Sequence, residues 1–219
     1  EAAAVFVDPL RPHDRVAIVA FEEDVRVLTP LTSDRALLRR ALGGLEPGNF
    51  TQVYEAVQTV AEEVLGGVEG RKAAILFTDG VDTASYTGFA TSLDAIARRQ
   101  IIVYPIRYNT RPDVEARLSE RGDESEETRA ALADAYRVAE SYLRELATRS
   151  GGVVRAADRI EDLRTAFAEI AAELRHQYLI GYYPPRTDVH DAERRIQVAV
   201  SRPGLVVRAR QGYRAVRTP

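Results

Sequence analysis

Cysteine, methionine and tryptophan are absent from the 219 residues. Without cysteine there is no disulfide framework, no thiolate metal site and no cysteine nucleophile. Lysine occurs once, at Lys72, against 29 arginines, a bias we assign to coding and not to function. The three histidines, His13, His176 and His190, are scattered and give neither metal-ligand spacing nor a catalytic triad. No apolar run is long enough to span a bilayer. No signal peptide is visible. A net charge of −3 implies no bulk polyanion partner. At 45% hydrophobic and 29% charged the composition is that of an ordinary globular chain. The length suits one large domain, or one domain with an appendage.

What is present is an alternation of short apolar runs and helical patterns. The first ten residues, EAAAVFVDPL, read as the last turns of a helix ended by Pro9. RVAIVAF (15–21) and VRVLTPLT (25–32) read as a hairpin across a Glu-Glu-Asp turn. Ser33 is expected to cap a helix that stops at Gly43 and Gly44. After the loop LEPGNF, Thr51 opens a second helix, with Val53, Val57, Val60, Ala61 and Val64 at helical spacing. KAAILFTDG (72–80) carries a continuous apolar run, the mark of a parallel strand buried on both faces. A helix over 91–99 and the strand IIVYPIRY (101–108) follow. From 109 to 138 the rhythm breaks, with seven acidic residues between Asp113 and Glu127. This insertion reads as a solvated helix or a partly disordered segment. A helix (139–149), the strand VVRA (153–156) and a helix marked by Ile160, Leu163, Phe167, Ile170 and Leu174 restore the pattern.

Strands alternating with helices predict a doubly wound (Rossmann-like) α/β fold, a mostly parallel sheet with helices on both faces. The last stretch differs. QYLIGYYPP, RRIQVAVS and LVVRARQGY read as three antiparallel strands, with Pro203-Gly204 as a tight turn. The expected division is an α/β domain over 1–175 and a C-terminal antiparallel β extension over 176–219.

Asp79 falls just past the carboxyl end of its strand, where open α/β sheets hold their ligands. Read alone, it serves equally well as a turn or capping aspartate. Thr51 read alone is most simply a helix N-cap. Together a hydroxyl and a carboxylate oxygen are hard ligands of the kind Mg²⁺ takes. Asp82 reads as a turn residue rather than a supporting one.

The run RVAIVAF…VRVLTPLTSDRALLRRALGGLEPGNFTQVYEAV…RKAAILFTDGVDT…IIVYPIRY resembles the von Willebrand factor type A (VWA) domain. HQYLIGYYPP…RRIQVAVSRPGLVVRARQGY is similar to the C-terminal extension of bacterial VWFA-related domains. The resemblance implies an adhesion-type, protein-binding module with a metal-ion-dependent adhesion site (MIDAS). In the family three loops form that site: an Asp-x-Ser-x-Ser motif, a threonine matching Thr51 and an aspartate matching Asp79. It implies Mg²⁺ or Mn²⁺, a protein partner that offers an acidic side chain, and an extracellular or periplasmic location in a bacterium. No Asp-x-Ser-x-Ser occurs in these residues. The strand carrying it is expected upstream of Glu1, so Thr51 and Asp79 alone are carried over, and an incomplete site is expected here.

Other readings remain beside this one. The alternative is a metal-free interaction scaffold, in which the sheet and its tyrosine-rich extension bind partners and the site is vestigial. DGVDT partly resembles the nucleophile loop of haloacid-dehalogenase-like phosphatases. Asp79 and Asp82 are wrongly spaced for it, and no base or oxyanion device accompanies them, so no enzyme is expected. Seven arginines and no acid follow Glu193. Arg208 and Arg210 share a strand face, either a solvated edge or an anion-binding strip. Tyr178, Tyr182, Tyr183 and Tyr213 read as packing residues in preference to a nucleic-acid stacking platform.

Overall fold

The computed structural model describes residues 7, 10–44, 50–123, 125–178, 180–182 and 193–214. The expected helix over the first ten residues lies largely outside this set, with Val7 helical. Strands β1 (Val16–Phe21) and β2 (Val25–Thr32) form the expected antiparallel hairpin. Its register slips twice, and Pro30, with no N–H to give the ladder, falls in the slip between Val16 and Ile18. Ile18 N–H donates instead to the Thr29 hydroxyl, 3.1 Å away, in the buried part of the hairpin.

Helix α1 spans Arg35–Gly43. Its cap is Asp34 and not Ser33: the Asp34 carboxylate accepts from Ala36 N and Leu37 N. One carboxylate oxygen thus meets two of the helix's unpaired N–H groups. Helix α2 begins at Val53, two residues later than Thr51, and runs to Thr59. It continues in one wider, π-helical turn over Val60–Val64, closed by Leu65 N to Val60 O at 2.9 Å.

Strands β3 (Lys72–Thr78), β4 (Ile101–Arg107) and β5 (Arg155–Ala156) form a parallel sheet in the order β3-β4-β5. The expected VVRA strand is therefore only two residues long. Pro105 lacks an N–H, and the β5 ladder begins only after it, at Ile106. Helices α3 (Phe89–Arg99), α5 (Glu126–Ser150) and α6 (Ile160–Arg175) complete the α/β unit. Strand periodicity sorts the core into two layers. Ala74, Leu76, Ile101 and Val103 pack with α2, α3 and α5 through Val57, Leu93, Ile96, Tyr142 and Leu146. Ile75, Ile102, Tyr104 and Ile106 pack with α6 through Leu163, Phe167 and Ile170. The sheet thus has helices on both faces, as the alternation of elements predicts.

Strand β3 departs from the expectation of burial on both faces. Only Leu76 and Thr78 are buried, and Phe77 is 45% exposed. The reason is its place in the sheet: among the described residues β4 is its only strand neighbour, and β1 likewise pairs only with β2. A run of apolar residues can be read from sequence, but the number of neighbours it finds cannot.

The acidic segment is helical. Helix α4 (Arg111–Glu120) has no buried side chain, and α5 starts at Glu126 and not near 139. Ser125 caps α5 by accepting from Thr128 N at 3.1 Å.

The C-terminal extension is sparser than the sequence suggests. Strands β6 (Glu193–Arg195) and β7 (Gly212–Arg214) pair antiparallel, and Ile196 N donates to Gln211 O beyond them. The intervening residues 196–211 carry neither helix nor strand; Gly204 turns the chain at φ 80°. Of the first expected strand, residues 177, 178 and 180–182 are not in a strand, and 179 and 183–185 lie outside the described set. The extension is tied back to the α/β unit. Arg208 pairs with Glu173 at 2.5 Å, and Glu173 also accepts from the Tyr104 hydroxyl at 3.1 Å. Arg208 is therefore ion-paired and not simply part of a solvated edge, while the Arg210 guanidinium lies 5.6 Å from the Tyr213 ring centroid. Tyr182 and Tyr213 meet edge to face at 6.2 Å, whereas Tyr178 is exposed and Tyr183 lies outside the described residues.

Candidate metal-binding rim

The loop after β3 is held by hydrogen bonds that originate in the α2 start, 28 to 32 residues earlier in sequence. Thr51 N donates to the Thr83 hydroxyl at 2.8 Å, and Thr83 N returns a bond to Thr51 O at 2.9 Å. Gln52 occupies the N-cap position of α2 without capping it; its side-chain amide donates to Glu23 O at 2.8 Å instead. The helix's free N–H groups are met from the other loop. Tyr54 N donates to Asp82 Oδ2 at 3.0 Å, and Glu55 N to Ser85 Oγ at 3.0 Å. Asp82 also accepts from Ser85 N at 3.0 Å and from Ser85 Oγ at 2.5 Å. Farther along, Thr87 N donates to Glu55 and the Thr87 hydroxyl to Gln58.

Two sequence readings change here. Thr51 is not the N-cap of α2. Asp82 is a turn residue for Ser85 and, in addition, the cap of a helix remote in sequence. With both Thr51 backbone groups engaged, its hydroxyl has no hydrogen bond among the described residues.

Asp79 opens the same loop. Its Oδ1 accepts from Val81 N at 2.9 Å, and its Oδ2 from the Thr110 hydroxyl at 2.5 Å. Thr110 in turn lies 2.7 Å from the Tyr136 hydroxyl on α5. Burial raises the Tyr136 phenol above its ordinary value, and the Asp79 charge adds to the shift. Gly80 turns the chain at φ 83°, in the left-handed region glycine favours, and donates its N–H to Thr78 Oγ1 at 3.0 Å. A Cβ on Gly80 would stand 2.9 Å from Leu143 Cδ1. The loop leaves the sheet by a turn that packs directly on α5.

Thr51 and Asp79 therefore belong to two loops bonded to one another at the carboxyl end of β3. The donor set is one unengaged hydroxyl and one carboxylate, each of whose oxygens carries a single hydrogen bond. Such hard oxygens fit Mg²⁺ or Mn²⁺, which keep water in their remaining positions. Among the described residues no group of three or more His, Asp or Glu side chains is arranged to hold a metal. Thr110, Tyr136, Thr83 and Ser85 were not singled out from sequence. Only Ser85 has a local signal, the Asp-x-x-Ser spacing of a side-chain turn from Asp82. His13 and His176 are exposed, and His190 lies outside the described residues.

The family model described as "von Willebrand factor type A domain" matches residues 1–81. No curated protein matches the chain. Solved structures share the architecture at low identity. A von Willebrand factor type A protein from Catenulispora acidiphila aligns with TM-score 0.59 and 21% identity over 78% of this chain and 36% of its own. Proximal thread matrix protein 1 from the mussel byssus, solved with a zinc-occupied MIDAS motif, aligns with TM-score 0.54 and 16% identity over 78% of this chain and 40% of its own. The vWF domain of the type V pilus tip protein Mfa5 from Porphyromonas gingivalis aligns with TM-score 0.59 and 12% identity over 84% of this chain and 89% of its own. The chain thus spans well under half the length of the first two. At these identities the likeness is one of fold: residues 1–81 match the von Willebrand factor type A family model, and the chain carries the fold of such domains.

Proposed function

We propose that the chain is a protein-binding module that engages its partner at the rim formed by the Thr51 and Asp79 loops. Thr51 and Asp79 are its metal-binding residues, holding a hydrated Mg²⁺ or Mn²⁺. An acidic side chain of the partner completes the ion's shell. A cation with few charged protein ligands stays electrophilic, so an incoming carboxylate gains a charge-assisted contact. The observation that carries the reading is the Thr51 hydroxyl, which has no hydrogen bond among the described residues while its own backbone is bonded to the loop that Asp79 opens. Binding and not catalysis is the proposed role, because Asp82, the second carboxylate of DGVDT, is committed to Tyr54 N and Ser85. An extracellular or periplasmic location fits the pilus-tip and byssal proteins that share the fold. The α/β unit (1–175) carries the rim, and the extension (176–219) packs beside it.

A titration of Mn²⁺ followed by water-proton relaxation tests the site. Two protein oxygens predict weak binding, in the range of about 1 mM or above, because Mg²⁺-like ions give up water reluctantly. Asp79→Ala and Thr51→Val should each weaken it further. Equal binding by Asp79→Ala and the parent would place any metal elsewhere.

A second reading is a metal-free scaffold. It is favoured by the hydrogen bonds that both Asp79 oxygens already accept within the protein. Retention of a partner in EDTA would select it.

A further inference from the structure

We propose that Thr110 supplies a further protein oxygen to the cation site, oriented by Tyr136. The inference rests on the metal reading above and extends it to a segment outside the loops that the resemblance supplies. Thr110 precedes α4 and Tyr136 lies within α5, both in the acidic stretch that interrupts the α/β pattern.

Proton counting fixes the direction of the hydrogen bonds. A threonine hydroxyl has one proton and two lone pairs. The Asp79 carboxylate can only accept, so at 2.5 Å the Thr110 proton points to Asp79 Oδ2. With that proton committed, the contact of 2.7 Å to Tyr136 must be donated by the phenol. One lone pair of Thr110 Oγ1 accepts from Tyr136, and one remains. That lone pair belongs to an atom in direct contact with the proposed metal-binding carboxylate. A cation bound to Asp79 and Thr110 together would polarise the hydroxyl and strengthen its donation to the carboxylate, so the two contacts support each other. Thr110, Asp79 and Tyr136 are all partly buried, which limits competition from water.

The sequence gives no sign of this. Thr110 stands 31 residues from Asp79, and Tyr136 a further 26 away. Only the packing of α5 against the Gly80 turn brings the phenol to the rim.

The test is Mn²⁺ binding by the full 219-residue chain, read by water-proton relaxation, for the parent, Thr110→Val, Thr110→Ser, Tyr136→Phe and Asp79→Ala. Far-UV circular dichroism and thermal melts check folding of each. Thr110→Val should weaken binding about 10-fold, as loss of an orienting or ligating group does, while Thr110→Ser keeps it. Tyr136→Phe should fall between the two. If Thr110→Val folds and binds like the parent while Asp79→Ala does not bind, the assignment of Thr110 is overturned and the Asp79 site stands. If Thr110→Val proves unfolded, Tyr136→Phe decides, and parental affinity there overturns the proposal. If the parent and Asp79→Ala give the same relaxation profile, both the site and its extension fall.

Discussion

Asp82 caps a helix that begins 29 residues before it: its Oδ2 accepts the backbone N–H of Tyr54 at 3.0 Å. Because Gln52 leaves the N-cap function unfilled, this bond joins the start of α2 to the loop after β3. Helix capping and loop closure are here the same contact.

Asp82→Ala should therefore destabilise the protein by about 1–2 kcal/mol, the usual cost of losing a cap together with a part-buried acceptor. Asp82→Asn should recover part of the loss through its amide oxygen. Urea unfolding monitored by circular dichroism measures both. Equal stability of Asp82→Ala and the parent would show that the Thr83, Ser85 and Thr87 bonds hold the loop without it.

Gly80→Ala should destabilise by about 1–3 kcal/mol, since it sets an L-residue at positive φ and pushes its methyl into Leu143. Leu143→Ala removes both the Cγ and the Cδ1 that the methyl would meet, but leaves the positive φ and the Ala139 carbonyl oxygen at 3.1 Å. The pair Gly80→Ala with Leu143→Ala should thus remain less stable than Leu143→Ala by itself. Thermal melts of the four proteins form the cycle.

Tyr104 gives the protein an alkaline limit. Burial, with the Glu173 charge adding, pushes its phenol up to about 12 from the ordinary 10.0. The folded state therefore holds a proton that the unfolded chain releases earlier. Stability from this group is complete below the unfolded value of 10.0 and is lost as pH rises toward about 12. Urea midpoints should fall across that interval, and less steeply in Tyr104→Phe. An identical slope in both would assign the loss to other tyrosines, among them Tyr142, whose phenol is also raised by burial.

Glu173, on α6, joins the extension to the α/β unit by pairing with Arg208, and Gln177 joins it by donating its side-chain amide to the Tyr104 hydroxyl at 2.7 Å. With the Arg208 side chain 42% exposed the pair contributes about 0–1 kcal/mol, and Gln177 still meets the Tyr104 hydroxyl, so Glu173→Ala should change global stability little. It should instead speed trypsin cleavage after Arg208 and Arg210, where the chain carries no regular structure. Cleavage at the parental rate would show that the extension is held by other contacts.

The order of elements was legible because it is a local property. Apolar spacing in VYEAVQT and the continuous run in KAAILFT mark a helix and a strand whatever surrounds them. The glycines at 43–44 and 151 end helices for equally local reasons. Errors arose where two residues compete for one role, as Ser33 and Asp34 do at α1. They also arose where a strand pattern lacks partners. RRIQVAVS and LVVRARQGY alternate as strands do, yet only Glu193–Arg195 and Gly212–Arg214 pair. Alternation states a preference for a half-buried surface; it does not provide the surface.

For the site, the sequence by itself determined that a carboxylate would stand at the end of a parallel strand and that a hydroxyl would precede a helix, because strand ends and helix starts are fixed by neighbours a few residues away. It determined neither which hydrogen-bonding groups those side chains keep free nor what else reaches them. The tertiary structure decided that Thr51 yields helix capping to Asp82 and Ser85, and that Thr110 and Tyr136 close on Asp79. Those contacts span 26 to 31 residues. They exist only because the two loops leave one end of the sheet and α5 packs across Gly80, and the short-range patterns that set the elements carry no record of that packing.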